Sequence, residues 1–368
     1  MPQVTLLSDF AAYRYFTYPH LNGFTTRTVD GITRDATVVV GEIDMERSTS
    51  TLYQVDLETG AERRLGEFQH QPDEKNVFVW WDVDIAGTTL VSSTSNAVHV
   101  VDLTAEIPAP REIWRAPEGR VASAIVSLHP DGTRCLASHY PPGLSYGPTQ
   151  LIEIDIASGA ATEILDSETM LAHFQYCEAD PSWIGFSNQS RLAHNFGPYT
   201  RAWAYHPDHA PRGQLLWDQQ TESGLVPASH EVWAFHEVSC VLVAPRDVAP
   251  PTAPATGQAG LWQLWTDGRP ARLVQAANDY SHCSISRDGR WAVVDTGPDA
   301  DRRGRIELVS MNGEQPPLTL AEIGWGSVHP RHGHPNFSPT GRYVAYTDSD
   351  PVTDRTRVGL VDLTDLPH

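Results

Sequence analysis

Short runs in which apolar and polar residues alternate recur along the whole chain, and turns separate them. The clearest examples carry an Asp-Gly or Thr-Gly turn and cover residues 129–140, 286–296 and 338–348. Alternation with a period of two places successive side chains on opposite faces of an extended strand. An Asp-Gly turn between two such runs is a typical β-hairpin connection. Because no segment sustains a helical period, the pattern predicts an all-β protein.

A larger repeat organises these strands. A strand, a turn and a second strand recur seven times, roughly 50 residues apart. The copies begin at Thr51, Ala97, Leu151, Arg201, Gly260, Arg305 and Arg357. Each copy follows a further turn and strand, which gives about four strands per repeat. The sequence therefore predicts one domain over residues 1–368, a seven-bladed β-propeller.

Two further expectations follow from the spacing of the repeats. The last repeat ends close to residue 368, so a strand from the first residues is expected to complete the final blade and close the ring. The Pro-rich and Ala-rich segment 246–259 interrupts one repeat and is expected to form a surface loop.

The composition fits this architecture and limits the possible partners. Glycine and proline account for 27 and 28 of the 368 residues, as expected for a chain with many turns. The net charge of −20 argues against nucleic acid and anionic membrane surfaces as partners, because both bind basic faces. An anionic small substrate is still compatible with this charge if a metal ion or an arginine attracts it locally.

Cysteine spacing and the absence of targeting signals indicate the cellular setting. Cys135, Cys177, Cys240 and Cys283 form no C-x-x-C pair, which predicts buried, reduced thiols. The first residues lack the basic region and apolar core of a signal peptide. No apolar run approaches the ~20 residues needed to span a bilayer. We expect a soluble cytoplasmic protein without a membrane partner, and the sequence leaves monomer and homodimer open.

Histidines precede several of the predicted innermost strands, and these positions surround one end of the central channel of a propeller. They are His173, His230 and His282, followed by the triplet His329, His332 and His334. Imidazole-rich sites suit manganese, iron, cobalt, nickel, copper or zinc better than calcium or magnesium. The spacing leaves two interpretations open, a metal site formed by His282 with the triplet or a hydrogen-bonded histidine cluster.

Four segments of the chain carry a resemblance to a known family. They are HGHPNFSPTGRYVAYTD from His332, SHCSISRDG around His282, SHEVW around His230 and TRAWAY around Arg201. In these segments the chain resembles the oligogalacturonate lyases of polysaccharide lyase family 22, which are seven-bladed propellers. The resemblance implies a divalent transition metal, usually described as manganese in that family. The implied ligands are His282, His329, His332 and His334.

The resemblance also implies a reaction. Lyases of this class cleave 1,4-linked uronides by β-elimination, in which a base removes the C5 proton and the C4 oxygen leaves. The matching positions imply that His230 is the base and that Arg201 meets the substrate carboxylate or the developing enolate. His173 is implied as a contact to the substrate, an anionic oligosaccharide.

Two departures from the family pattern bear on the substrate and the metal. His329 stands where the family has glutamine, and Ser187-Asn188-Gln189-Ser190 stands where it has Cys-His-Glu-Gly. Asn188 at an expected substrate contact leaves a glucuronate-linked oligosaccharide open beside oligogalacturonate. A second class of protein is also open, a non-catalytic propeller of the TolB type that binds a protein partner and no metal.

Overall fold

The strands form seven antiparallel sheets arranged as blades in a ring, which confirms the predicted seven-bladed β-propeller. The computed structural model describes residues 2–70, 77–143, 148–189, 201–218, 229–244, 258–326 and 328–366. Those residues contain thirty strands and one short 3-10 helix, Phe10–Ala12. No helix in this part of the chain has the length and apolar composition to cross a membrane. Residues 246–257 of the predicted surface loop lie outside the described residues.

The strands of blades 1 to 4 follow one another along the chain after the first strand, β1 (Val4–Leu6), which belongs to blade 7. Blade 1 contains β2 (Arg14–Tyr15), β3 (Phe24–Val29), β4 (Ile32–Asp44), β5 (Thr49–Asp56) and β6 (Glu62–Gln69). Blade 2 contains β7 (Trp81–Val83), β8 (Thr89–Ser93), β9 (Ala97–Asp102) and β10 (Arg111–Arg115). Blade 3 contains β11 (Val121–Ala122), β12 (Ser127–Leu128), β13 (Arg134–Tyr140), β14 (Thr149–Asp155) and β15 (Ala161–Ser167). Blade 4 contains β16 (Met170–Tyr176), β17 (Ile184–Gln189), β18 (Ala202–His206) and β19 (Ala210–Leu215).

Blades 5 to 7 complete the ring in the same order. Blade 5 contains β20 (Ser229–Trp233), β21 (Ser239–Ala244), β22 (Gly260–Trp265) and β23 (Arg272–Ala276). Blade 6 contains β24 (Tyr280–Ile285), β25 (Trp291–Thr296), β26 (Arg303–Ser310) and β27 (Leu318–Gly324). Blade 7 contains β28 (Asn336–Phe337), β29 (Tyr343–Ser349) and β30 (Thr356–Asp362), and β1 is its fourth strand.

The pairing of β1 with β30 closes the ring, as the sequence predicts. The two strands are antiparallel, with Val4 opposite Val361 and Leu6 opposite Gly359. β1 lies at the outer edge of blade 7 and is exposed along its length. The two ends of the described chain therefore meet in one sheet, and the first and last blades become neighbours.

Turns with the predicted chemistry join β12 to β13 in blade 3, β24 to β25 in blade 6 and β28 to β29 in blade 7. Gly132, Gly289 and Gly341 have φ angles of 72°, 71° and 76°, in the left-handed region that favours glycine. Each glycine N–H donates to the carbonyl three residues earlier, at 2.8 to 2.9 Å. The Asp-Gly and Thr-Gly pairs therefore fix the reversal of chain direction between the two strands that each turn joins.

Large buried side chains and buried cysteines fill the contacts between blades. Tyr15 and Trp81 are fully buried where blades 1 and 2 meet, with ring centroids 5.5 Å apart. All four cysteines are buried and unpaired, as predicted. Burial raises the pKa of the Cys135 and Cys177 thiols to about 12 and about 11, so both are protonated core groups near neutral pH.

Gly185→Ala is expected to destabilise the contact between blades 4 and 5. A Cβ at residue 185 would lie 1.4 Å from Nε1 of Trp233, the last residue of β20. Because the indole would have to move, we expect the free energy of unfolding to fall by about 1–3 kcal/mol, measured by thermal or urea unfolding. Gly297→Ala is the matched control, since its added Cβ would make an ordinary 3.5 Å contact with the Asp279 carbonyl. Equal stability of the two variants would contradict this account.

Candidate active site

Irregular backbone at the start of the inner strands turns histidines toward one end of the channel. His173, His230 and His334 have φ angles of 49°, 40° and 45°, which is uncommon for residues other than glycine. The pairing of β16 with β17 shifts register around His173, and that of β20 with β21 shifts around His230. A third shift, in the pairing of β24 with β25, falls immediately before His282. Such bulges re-aim a side chain that regular alternation would direct elsewhere.

Three of the predicted metal ligands form a compact group. The ligand nitrogens of His282, His332 and His334 all lie within 4.8 Å of one another. Four of their ring nitrogens are buried without a hydrogen-bond partner: His282 Nε2, His332 Nδ1, and both nitrogens of His334. Burial, together with the neighbouring imidazoles, holds the pKa of His332 and His334 well below the ordinary value. Neutral rings with free lone pairs are the form that binds a transition metal.

The fourth predicted ligand, His329, lies beside this group. Its ring centroid is 4.5 Å from that of His332 and 4.9 Å from that of His334, with which it stacks. Its Nδ1 is also buried without a partner. Burial, with a smaller effect from nearby histidines, lowers the pKa of His329 to about 3. The structure therefore brings all four imidazoles together, with His329 outside the tightest set of ligand atoms.

A buried carboxylate that sequence reasoning missed orients two of these histidines. Asp295 on β25 is fully buried and lies 2.9 and 3.0 Å from His282 Nδ1 through its two oxygens. It also accepts the backbone N–H groups of His282 at 2.7 Å and His334 at 3.0 Å. Because the carboxylate takes the Nδ1 hydrogen, Nε2 of His282 presents its lone pair to the cluster. Carboxylates that hold metal-binding histidines in this way are common in metal sites.

Gly333 makes room for this carboxylate between two of the histidines. A Cβ at residue 333 would lie 2.7 Å from Oδ2 of Asp295 and 2.9 Å from its Cβ. Any larger residue would therefore push the backbone of His332 and His334 away from Asp295. The His-Gly-His sequence is thus a packing requirement as well as a spacing of two imidazoles.

His230 adjoins the cluster in a form that can accept a proton. Its Nδ1 lies 2.7 Å from the carbonyl oxygen of Ser281 and 2.6 Å from Oγ of Ser229. A carbonyl only accepts, so Nδ1 carries the ring hydrogen and Nε2 carries the lone pair. The ring centroid is 4.1 Å from that of His282. Burial, followed by the charge of neighbouring histidines, places the pKa of His230 well below the ordinary value.

Arg201, His173 and Glu231 form a buried polar network next to His230. Nε of Arg201 donates to Oε2 of Glu231 at 3.1 Å, and Nη2 donates to Nδ1 of His173 at 3.0 Å. Glu231 is only 2% exposed, and burial alone would raise the pKa of its carboxyl group. The charge of Arg201 and the hydrogen bond that it donates oppose this effect, and the pKa of the Glu231 carboxyl group is lowered to about 2. The predicted substrate-binding arginine is therefore also the counter-ion of a buried glutamate.

Aromatic residues from blades 1 and 2 complete the site, and sequence reasoning assigned them no role. Tyr18 is 4% exposed, and its Oη lies 3.2 Å from Nε2 of His173. Its ring centroid is 4.9 Å from that of His334 and 5.1 Å from that of His20. Trp80 packs edge-on against Tyr18, with centroids 5.3 Å apart. Several aromatic residues lie close together in the segment before β3, and this could have indicated a functional surface. The sequence does not show which way their side chains point.

The hydrogen bonds that the structure describes for Asn188 lead to Arg201 and Thr169 and to none of the histidines of the site. Asn188 lies on β17, and its backbone N–H donates to the carbonyl of Arg201 at 2.9 Å. Its side-chain Oδ1 accepts the hydroxyl of Thr169 at 2.6 Å. The role of Asn188 as a substrate contact therefore stays a prediction.

A cavity of about 890 Å³ lies along the inner strands, and His20, whose ring centroid is 5.1 Å from that of Tyr18, is among its lining residues. Tyr176, Trp233 and Ile285 are among the residues that line it. They are the last residues of β16, β20 and β24, the strands that also carry His173, His230 and His282. Arg287, which also lines it, pairs with Glu178 at 2.7 Å. The free imidazole nitrogens of the metal-ligand group do not line this cavity, so we place the chemistry at the histidine end.

The described residues thus define a seven-bladed propeller with an imidazole-rich site at one end of its channel. The sequence matches no protein-family model and no curated protein. In structure the chain is similar to an oligogalacturonate lyase solved in complex with manganese, with a TM-score of 0.77 and 18% identity over 99% of this chain and 94% of that one. An oligogalacturonate lyase from Vibrio parahaemolyticus gives the same TM-score and coverage at 16% identity.

A protein of a different class is also similar to the chain. TolB from Acinetobacter baumannii has a TM-score of 0.51 at 11% identity, over 89% of this chain and 80% of its own. At these identities the comparisons show a shared propeller fold. The resemblance found in four segments therefore extends, at the level of fold, to nearly the whole chain.

Glu231→Gln is expected to lower stability by an amount that depends on pH. The Glu231 carboxyl has a pKa of about 2 in the folded protein against an ordinary value of 4.5, so it binds its proton more weakly when folded. Its contribution to stability is therefore fully present above about pH 4.5 and is lost as the pH falls toward 2. We expect the gap in thermal unfolding midpoint between wild type and variant to narrow below about pH 4.5. A gap that is constant across this range would contradict the assignment.

Proposed function

We propose that the protein is a metal-dependent lyase that cleaves uronate oligosaccharides by β-elimination. The observation that carries the proposal is the juxtaposition of two kinds of group. Three imidazoles with free nitrogens lie within 4.8 Å of one another, and the ring of His230 lies 4.1 Å from one of them with Nε2 unprotonated. A general base can remove the proton on the carbon next to a carboxylate, and a metal ion bound beside the base can stabilise the charge that develops on that carboxylate.

The residues present fit a divalent transition metal. His282, His332 and His334 would hold it, with His329 adjoining, and Asp295 would fix the ring of His282 from behind. When bound, the metal supplies Lewis acidity toward the substrate carboxylate and so stabilises the charge that develops there. Manganese is our first choice, in line with the manganese complex of a structurally similar lyase.

His230 would act as the base. In its neutral form with hydrogen on Nδ1, the Nε2 lone pair accepts the proton from C5 of the uronate. The Ser281 carbonyl then stabilises the imidazolium through the hydrogen bond that it already accepts. A positioned general base of this kind contributes about 10²–10⁴-fold to rate.

Local positive charge would have to draw an anionic sugar into a protein whose net charge is −20. The ring of His230 contacts the ring of His282, one of the metal-binding histidines, and stacks on the ring of His173. Arg201 donates a hydrogen bond to His173. Arg201 would favour the enolate-like state, because its charge lies in a low-dielectric environment where such interactions are strong. We propose galacturonate oligosaccharides as the substrate class, with glucuronate-linked oligosaccharides as the alternative that Asn188 leaves open.

Loss of the cluster histidines is expected to abolish metal binding. Purified wild type should bind about one divalent transition metal per chain, and His332→Ala and His334→Ala should lose it in elemental analysis and in calorimetric titration with manganese chloride. Asp295→Asn should weaken binding by about 10–100-fold because it no longer fixes His282. His206→Ala, at a buried histidine outside the cluster, should bind metal as wild type does. Metal content unchanged in both cluster variants would refute the site.

His230→Ala is expected to abolish the base without removing the metal. With digalacturonate and manganese, wild type should produce the absorbance of a 4,5-unsaturated uronate, and the variant should be slower by about 10²–10⁴-fold. Its metal content should match that of wild type, and His206→Ala should retain full activity.

A panel of substrates separates the remaining possibilities. Cleavage of a glucuronate-linked oligosaccharide but not of digalacturonate would establish the alternative substrate. Absence of product from every uronide, with metal supplied, would refute the lyase and favour a non-catalytic propeller that binds a protein partner.

A further inference from the structure

The proton needed by the leaving oxygen is the part of the reaction to which the sequence assigned no residue. Elimination breaks the C4–O bond, and the departing sugar oxygen is a poor leaving group unless it is protonated as the bond breaks. The structure places the phenol of Tyr18 beside both the candidate base and the candidate metal ligands. The ring of Tyr18 lies 6.1 Å from that of His230 and 4.9 Å from that of His334.

Hydrogen bonding fixes the tautomer of His173, which is the partner of this hydroxyl. A guanidinium group has only N–H donors, so Nδ1 of His173 must accept from Nη2 of Arg201 at 3.0 Å. The carboxylate oxygen Oε1 of Glu231 is 3.6 Å from the same nitrogen and is too distant to compete for it. Nδ1 therefore carries a lone pair, and the neutral ring carries its hydrogen on Nε2.

This tautomer determines which way the hydroxyl of Tyr18 donates. Nε2 of His173 lies 3.2 Å from Oη of Tyr18, so His173 donates and Tyr18 accepts. The hydrogen of the Tyr18 hydroxyl is then directed away from His173 and is available to another acceptor. Packing against Trp80 holds the phenol ring in this position.

We propose that Tyr18 is the catalytic acid that protonates the departing oxygen, an inference that rests on the proposed lyase function. His230 Nε2 takes the C5 proton, and the C5–H electron pair forms the C4=C5 double bond. The C4–O bond breaks, and its electron pair takes the hydrogen of the Tyr18 hydroxyl. The phenolate accepts a hydrogen bond from His173 Nε2, water restores its proton, and His230 returns its proton to water. Arg201 and Glu231 are positioning residues that hold His173 in the donating tautomer.

The test compares two leaving groups in the variant Tyr18→Phe, which removes the hydroxyl and keeps the ring. The first substrate is digalacturonate, whose leaving oxygen needs a proton. The second is a methyl galacturonide with a 4-nitrophenyl ether at O4, whose phenolate leaves without one. We expect kcat on digalacturonate to fall by about 10²–10⁴-fold and kcat on the nitrophenyl ether to stay within about threefold of wild type. His230→Ala, which lacks the base, should be slow on both substrates.

Two further variants distinguish this role from a structural one. Tyr15→Phe removes another buried hydroxyl, one that donates to the Val79 carbonyl at 2.8 Å, and should leave activity on both substrates unchanged. His173→Ala should show the same dependence on the leaving group as Tyr18→Phe, because the phenolate loses its hydrogen-bond donor. Metal content should match that of wild type in all three variants.

The outcomes separate the acid role from the proposed function. Equal loss on both substrates in Tyr18→Phe, or no loss on digalacturonate, would overturn the acid role while the lyase function stands. Absence of any cleavage by wild type would overturn the proposed function and the acid role together. If wild type cleaves only glucuronate-linked substrates, the same comparison is made with the corresponding glucuronide ether.

Discussion

The arrangement of the histidine cluster depends on one buried carboxylate. The Asp295 carboxylate accepts hydrogen bonds from the side chain and the backbone N–H of His282 in blade 6. It also accepts one from the backbone N–H of His334, in the segment that enters blade 7. A charged carboxylate in the interior is costly unless several donors satisfy it, so the surrounding backbone is constrained to supply them. The same carboxylate therefore orients the ring of His282, holds the backbone of His334, and links blade 6 to the segment that enters blade 7. Gly333, which has no side chain, leaves room for the Asp295 carboxylate.

The second constraint is conformational and is spread over three blades. His173, His230 and His334 all adopt a backbone conformation that costs of order 1–3 kcal/mol for an ordinary residue. Such a conformation persists only where the surrounding packing determines it. Here, the inner strands lie between buried faces of neighbouring blades, and this rigid frame holds histidines from separate repeats at one point. The three strained positions thus coincide with histidines of the candidate site.

The sequence predicted the parts of the molecule that depend on local signals. The turns at Gly132, Gly289 and Gly341 and the repeat of alternating runs were sufficient for the fold, and the histidines before inner strands were found because equivalent positions face the same end. Residues that act through contacts across the chain were not found. Asp295 reads as the polar end of an alternating strand, and Tyr18 reads as one aromatic among several. Only the circular arrangement of the blades brings Tyr18 next to His173, which is 155 residues away along the chain.

The pairing of β1 with β30 ties the blade that follows the histidine triplet to the first residues of the described chain. Residues 4–6 pair with residues 359–361, so among the strand pairings of the described residues this one closes the longest loop, at the largest entropic cost. The same blade follows the triplet of histidines. A chain in which the other blades have formed but this one has not would therefore lack three of the four imidazoles in their final arrangement. Metal affinity and native topology would appear together, so that partly folded chains would compete poorly for the ion.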